Sequence, residues 1–347
     1  RNWRQFREKH ANCRTRAVPR KRRIHRIGIV SVTNLKKAYG DFTAVDGISF
    51  DIQQGEIFGF LGPNGAGKTS TINMLIGLSR PSGGTISIDG IDGIKDIKKA
   101  QGIMGIVADE SNLYDEMNGF DNLCFCASLY GMRKEEREKR ANVLLEQFGL
   151  KNAGGRPFRA YSKGMKRKLT IAAGIIHNPK ILFLDEPTTG IDVESARQIR
   201  SLILDMKQQG TTVFLTTHYI EEAERICDRI AFIVNGKIVK TGTLDELMEN
   251  AGQEHIIRLT LNNGAKAIEN ELQRDFPGLR IEVKDENTCF IISPVKVALS
   301  PVLQYLDGRG ISVFEAKEIR PTLEDVFVKV TGIEADKLQK EKEGGKK

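Results

Sequence analysis

The octapeptide Gly62-Pro63-Asn64-Gly65-Ala66-Gly67-Lys68-Thr69 follows the apolar run Ile57–Leu61 and precedes helically spaced Ile72, Leu75 and Ile76. It matches G-x-x-x-x-G-K-[ST] between a strand that runs in and a helix that runs out, the context its chemistry requires. Glycines let successive backbone N–H groups turn inward around phosphate oxygens, and a helix N-terminus adds favourable partial charge. Lys68 is placed to reach the β- and γ-phosphates. The Thr69 hydroxyl, with Ser70 beside it, is placed to take one Mg²⁺ position. Alone, the loop specifies a nucleoside triphosphate and no particular reaction.

Four further stretches narrow the chemistry. Ile181–Leu184 is an apolar run ending in Asp185 and Glu186, about 115 residues after the loop and followed by Pro187-Thr188-Thr189-Gly190-Ile191-Asp192. An Asp at a strand tip holds Mg²⁺ directly or through water, and a Glu beside it is placed to polarise an attacking water. Tyr161-Ser162-Lys163-Gly164-Met165 opens a helix, where Ser162 is either an anion contact or a plain N-cap. His218 follows the strand-like run Val213–Thr216 and can hydrogen-bond a γ-phosphate or the attacking water.

These residues need elements to hold them. Ile29, Val30 and Val32 begin a strand pattern. Val45 to Leu61 reads as strands broken at Asp46-Gly47 and Gln54-Gly55, and residues 112–150 read as mostly helical. Buried strands at Ile181–Leu184, Val213–Thr216 and Ile230–Val234 alternate with helices at Val193–Gln208 and Ile220–Ile226, which predicts a largely parallel, helix-covered sheet. After Asn250 three shorter strands and two helices, near Ala267–Arg274 and Lys296–Gly308, predict a separate small α+β unit.

At 347 residues the chain is long enough for two such units. Its net charge of +8 is concentrated: residues 1–26 carry eleven Lys and Arg against Glu8 alone, leaving the rest near −2. The body is therefore not a basic, nucleic-acid-binding face. The arm 1–26 reads as a basic disordered extension, with anionic lipid or nucleic acid as rival partners. No stretch approaches the roughly 18 consecutive apolar residues that a membrane span needs. The five cysteines are scattered and odd in number, which fits reduced thiols. Cys124 and Cys126, two apart on a helix, face different ways and do not suggest a metal site.

Taken in order, these motifs resemble the ATP-binding subunit of ABC transporters over about residues 29–250. The resemblance implies that Tyr39 stacks on adenine, that Gly62–Thr69 is the Walker A loop, and that Ser162–Met165 is the signature. It implies Asp185 and Glu186 as metal-binding Asp and catalytic Glu, Gly190-Ile191-Asp192 as the loop that crosses between subunits, and His218 as the switch histidine. The expected cofactors are ATP and Mg²⁺. The expected partners are a second ATP-binding subunit, bound head to tail as a homodimer, and separate transmembrane permease subunits, with no nucleic acid. The expected place is the cytoplasmic face of the membrane. Pro321-Thr322-Leu323-Glu324-Asp325-Val326-Phe327 looks like the closing motif of the daunorubicin-resistance-like exporter branch; read plainly, it is an N-capped helix turning Val326 and Phe327 inward.

Two positions depart from the family pattern. Lys163 stands where the signature usually has Gly, which is tolerable if its side chain points away from phosphate. Asp109 stands where the family has a Gln that contacts Mg²⁺ and links to the membrane partner. An Asp can bind Mg²⁺ through water; the alternatives are a slipped alignment or weakened coupling. The expected fold is α/β, a P-loop NTPase core of the ABC type with an antiparallel β subdomain and a helical insertion, plus a small C-terminal α+β domain. The expected boundaries are 1–26, 27–250 (insertion about 112–165), 254–331 and a Lys-rich tail 332–347. The rival reading is a soluble ABC-type ATPase acting on nucleic acid or ribosomes, for which the basic arm is the only support. A non-hydrolysing module ranks last because Glu186 is present.

Overall fold

The computed structural model describes residues 28–249, 255–262, 264–319 and 322–333. The basic extension expected at 1–26, and the tail beyond Ile333, lie outside the described residues.

The chain opens with the long strands β1 (Val30–Tyr39) and β2 (Phe42–Ile52), then β3 (Ile57–Leu61) and α1 (Lys68–Leu75). β4 (Gly83–Ile88), β5 (Ile91–Asp92), α2 (Ile97–Gln101) and β6 (Met104–Val107) follow. Strands β2-β1-β4-β5 make an antiparallel sheet. The expected break at Asp46-Gly47 is a bulge inside continuous β2. Leu35 pairs with Ile48 and Lys37 with Val45, so two residues oppose one, and Gly47 supplies the φ of 69° this needs.

A second sheet runs β10-β9-β3-β8-β7-β6, with β7 (Ile181–Asp185), β8 (Thr212–Thr217), β9 (Arg229–Val234) and β10 (Lys237–Thr243). Its strands are parallel except for the antiparallel edge strand β10. Every residue of β3, β7 and β8 is buried, as strands covered on both faces must be. Phe50 of the first sheet stacks on Phe58 at 5.6 Å and on Phe214 at 6.1 Å, joining the two sheets through an aromatic core.

On the other face lie α3 (Gly119–Leu129), α4 (Lys134–Gln147), α5 (Lys163–Gly174) and α6 (Val193–Gln208), which share one apolar cluster with the sheet. Residues 112–118, read from sequence as the start of a helical stretch, form a loop. Fully buried Asn122 holds it, accepting from Tyr114 N–H at 2.9 Å and donating to the carbonyls of Tyr114, Met117 and Asn118.

α7 (Ile220–Ile226) and α8 (Leu244–Glu249) complete the first part. Beyond it β11 (His255–Leu261), α9 (Ala265–Asp275), β12 (Arg280–Val283), β13 (Thr288–Ser293), α10 (Leu299–Asp307) and β14 (Val313–Ile319) form a βαββαβ unit. Its antiparallel sheet runs β12-β13-β11-β14, the split-βαβ order, with its own apolar cluster. The last helix among the described residues, α11 (Leu323–Thr331), leaves that unit. Its Leu323, Val326 and Phe327 are buried with Leu61, Ala223, Ile230, Phe232 and Leu247. Thr322 and Asp325 close a capping box at its start.

Candidate active site

The phosphate loop is shaped by contacts from both sheets. A Cβ on Gly62 would sit 2.2 Å from the Ile233 carbonyl of β9, and one on Gly67 2.5 Å from the Ala44 carbonyl of β2. Gly65 and Gly67 also have φ of 75° and 103°, which favour glycine. Gly67 is the N-cap of α1 with no side-chain cap bond, so the first-turn N–H groups remain available to an anion. Pro63, Asn64 and Ala66 complete the turn, Ala66 N–H bonding the Pro63 carbonyl at 3.2 Å.

Lys68 is 5% exposed. Its Nζ donates to the carbonyls of Gly62 and Pro63 at 2.8 and 3.1 Å and lies 3.3 Å from Glu186 Oε1. Thr189 donates to Glu186 Oε2 at 2.6 Å. His218 Nδ1 is 2.5 Å from the same oxygen, close without the alignment of a hydrogen bond. Burial pushes the Glu186 carboxyl up, but His218, Thr189 and the Lys68 charge outweigh it and hold the pKa at about 2. Glu186 also has a φ of 48°, a left-handed backbone uncommon for a side-chain residue and typical of functional sites.

Asp185, at the tip of β7, is buried. Burial raises its carboxyl, against hydrogen bonds from Thr216 and Thr69. A buried carboxylate meeting the hydroxyl of the phosphate-loop threonine is a fitting oxygen donor pair for Mg²⁺. Asp109 is exposed just past β6, and among the described residues it belongs to no cluster of three metal-ligating side chains. Tyr39 ends β1 half exposed, with Lys37 Nζ 4.7 Å above one face of its ring.

Ser162 is the N-cap of α5 and accepts from Met165 N–H at 3.3 Å. Its neighbours are the residues around Asp192, not the phosphate loop: a Cβ on Gly164 would meet Ser195 Oγ at 2.2 Å, and one on Gly190 would meet Lys163 Nζ at 2.4 Å. Lys163 thus reaches along the 190–192 turn. Asp192 caps α6, accepting from Ser195 N–H at 2.8 Å. The fold therefore brings Lys68, Thr69, Asp185, Glu186 and His218 together and places Ser162–Met165 apart from them.

Three contributors were not singled out from sequence. Thr216 donates to Asp185 Oδ1 and its hydroxyl accepts from Glu186 N–H at 3.2 Å. Glu222, 3% exposed, accepts from Thr188 at 2.7 Å. Arg167, 8% exposed, reaches the carbonyls around Asp185 and Asp109. The available signal for Arg167 is its place on the helix that begins at Ser162.

A parallel sheet with a glycine loop at the C-terminal end of a central strand and two carboxylates at the end of another defines a P-loop nucleoside triphosphatase. Residues 45–189 match the family model described as ABC transporter. The linearmycin resistance ATP-binding protein LnrL of Bacillus subtilis is 36% identical over 309 residues, spanning 88% of this chain and 98% of that protein. The daunorubicin resistance ATP-binding protein DrrA3 of Streptomyces coeruleorubidus is 34% identical over 303 residues, 87% of this chain and 96% of that protein. Among solved structures, a dimeric post-hydrolysis state of the ATP-binding cassette MJ0796 bound to ADP and Pi is similar with a TM-score of 0.57. It is 27% identical, covering 62% of this chain and 98% of that one. The chain belongs to the ABC transporter ATP-binding family, and it is an ATP-hydrolysing enzyme. Among the described residues no helix is long and apolar enough to cross a membrane.

Proposed function

We propose that two copies close head to tail on ATP and Mg²⁺ and that this closure powers export through separate transmembrane subunits at the cytoplasmic face of the membrane. The observation that carries the reading is the division of the site. Lys68, Asp185 and Glu186 converge, while exposed Ser162 and buried Gly164 begin α5 against the 190–195 turn. One chain therefore offers two halves of different sites, and a second copy completes each. Mg²⁺ would be held by Thr69 and Asp185, with Asp109 through water, and would neutralise charge on the β- and γ-phosphates.

Lys68 Nζ pairs with Glu186 Oε1 at 3.3 Å. Phosphate would draw Lys68 away, relieving one of the influences that lower the carboxylate's basicity, and leave Glu186 to orient water with His218. Tyr39 would carry the base. For the membrane partner, the helical face offers a groove of about 280 Å³ lined by Tyr114, Phe125, Leu129 and Tyr130, close to the Asp109 loop. Leu129 is 69% and Tyr114 54% exposed, so the rim of the groove is apolar and open. Similarity to drug-resistance and Nod factor export ATP-binding proteins supports an exported cargo. The similarity to transporter ATP-binding proteins does not favour the rival nucleic-acid reading.

The test is the mass of the Glu186→Gln chain by light scattering, with ATP and with ADP. A dimer with ATP and a monomer with ADP is expected; a monomer in both overturns the two-copy reading.

A further inference from the structure

We propose that Arg167 is a positioning residue that transmits closure at one nucleotide to the hydrolytic carboxylates that serve the other; the inference rests on the two-copy reading above. The guanidinium leaves the signature helix α5 and enters the core. Its Nε donates to the Pro187 carbonyl at 3.0 Å and Nη2 to the Asp185 carbonyl at 2.6 Å. Nη1 donates to the carbonyls of Ala108 at 2.5 Å and Asp109 at 3.2 Å.

Two of these acceptors flank Glu186. One rigid, planar group therefore holds the peptide unit that enters Glu186 and the one that leaves Pro187, bracketing a residue whose φ is 48°. The other two acceptors fix the loop that carries Asp109. Ser162 stands five residues before Arg167 on the same helix, about 7.5 Å along its axis. A rotation of α5 produced when Ser162 and Gly164 meet the partner's nucleotide thus displaces the group that shapes this copy's Glu186 and Asp109.

The linkage holds because the guanidinium is buried. Releasing the buried Asp185 and Pro187 carbonyls without water to replace the bonds is unfavourable, so helix and carbonyls tend to move as one unit. A lysine cannot substitute, since a point charge on a flexible stem lacks the fork that spans Asp185 and Pro187.

The experiment compares full-length Arg167→Lys and Arg167→Met with wild type. Fluorescent ADP binding to the single chain is expected to stay within about twofold, whereas kcat should fall about tenfold or more, within the range of known site–site couplings. Cooperativity in ATP should also be lost. Wild-type kcat and cooperativity in both variants, or an absence of cooperativity in wild type, would overturn the proposal. Hydrogen exchange in the Glu186→Gln chain provides a measurement that needs no Arg167 variant. ATP-driven dimerisation should slow the amides of residues 108–109 together with those at the start of α5. Protection of α5 alone overturns the role of Arg167, while failure of Glu186→Gln to dimerise overturns the two-copy reading instead.

Discussion

Glu186→Gln should tighten the binding of ADP to a single chain, although Glu186 touches no part of the diphosphate in the proposed complex. Lys68 must leave Glu186 Oε1, 3.3 Å away, before it can hold the β-phosphate. At an effective dielectric of about 20, that separation corresponds to about 5 kcal/mol of attraction. Most of this is recovered when phosphate takes the place of the carboxylate. The net worth of a charge-assisted bond is nearer 1.5–3 kcal/mol. Glu186 keeps Thr189 and His218 after Lys68 departs, which lowers the cost of parting. The expected gain is therefore about 1–2 kcal/mol, or about 5- to 30-fold in Kd. The assay is anisotropy of a fluorescent ADP, chosen because it lacks the γ-phosphate and so avoids dimer closure. Equal or weaker binding by the variant would show that the Lys68–Glu186 pair does not compete with nucleotide, and the masking of the catalytic carboxylate would have to be abandoned.

Two further outcomes follow from the same coordinates. Glu186 ionises more readily in the folded chain, at about 2 against 4.5 for the free side chain, so its contribution to stability is fully present above about pH 4.5 and is lost as pH falls toward 2. Urea unfolding of wild type minus Glu186→Gln, nucleotide-free, should show a difference that shrinks over that window; a flat difference would contradict the pairing. Phe327→Ala removes a fully buried ring that meets Phe232 edge-on at 5.2 Å, and should cost about 3–5 kcal/mol locally. Limited proteolysis should then cut near α11 well before the β-sheet core; unchanged resistance would mean that the helix is not held by this contact.

The parts legible in sequence were those where local pattern and burial agree. Ile57–Leu61, Ile181–Asp185 and Val193–Gln208 read correctly because strands buried on both faces and amphipathic helices leave clear apolar signatures. The strand before Gly62–Thr69 and the helix that opens within it read correctly because the motif's chemistry fixes both residue type and spacing. What escaped depended on distant partners. The bulge at Gly47 looks like a turn unless β1 is known to lie beside it. The loop 112–118 looks helical unless Asn122 is known to bind its carbonyls. β14 carries mostly exposed residues, so nothing apolar marks it as a strand. Arg167 shows its role only when carbonyls from two strands meet over one side chain. The exposed carboxylate of Asp109 is still without a ligand set, and its part in binding Mg²⁺ belongs to the proposal.

The docking of α11 has a bearing on how the polypeptide matures. Leu61, Ile230 and Phe232, at the root of the phosphate loop and beside it, are covered partly by Leu323, Val326 and Phe327. During synthesis those strands exist long before their cover does, so a nascent chain would carry an apolar patch until α11 leaves the ribosome. Entry through α8 and exit through α11 also converge on one cluster, making the βαββαβ unit a closed excursion from the ATPase body instead of a pendant on one tether. Cutting the gene after α8 would therefore not yield a tidy minimal cassette. It would yield one with an open seam, prone to associate through it.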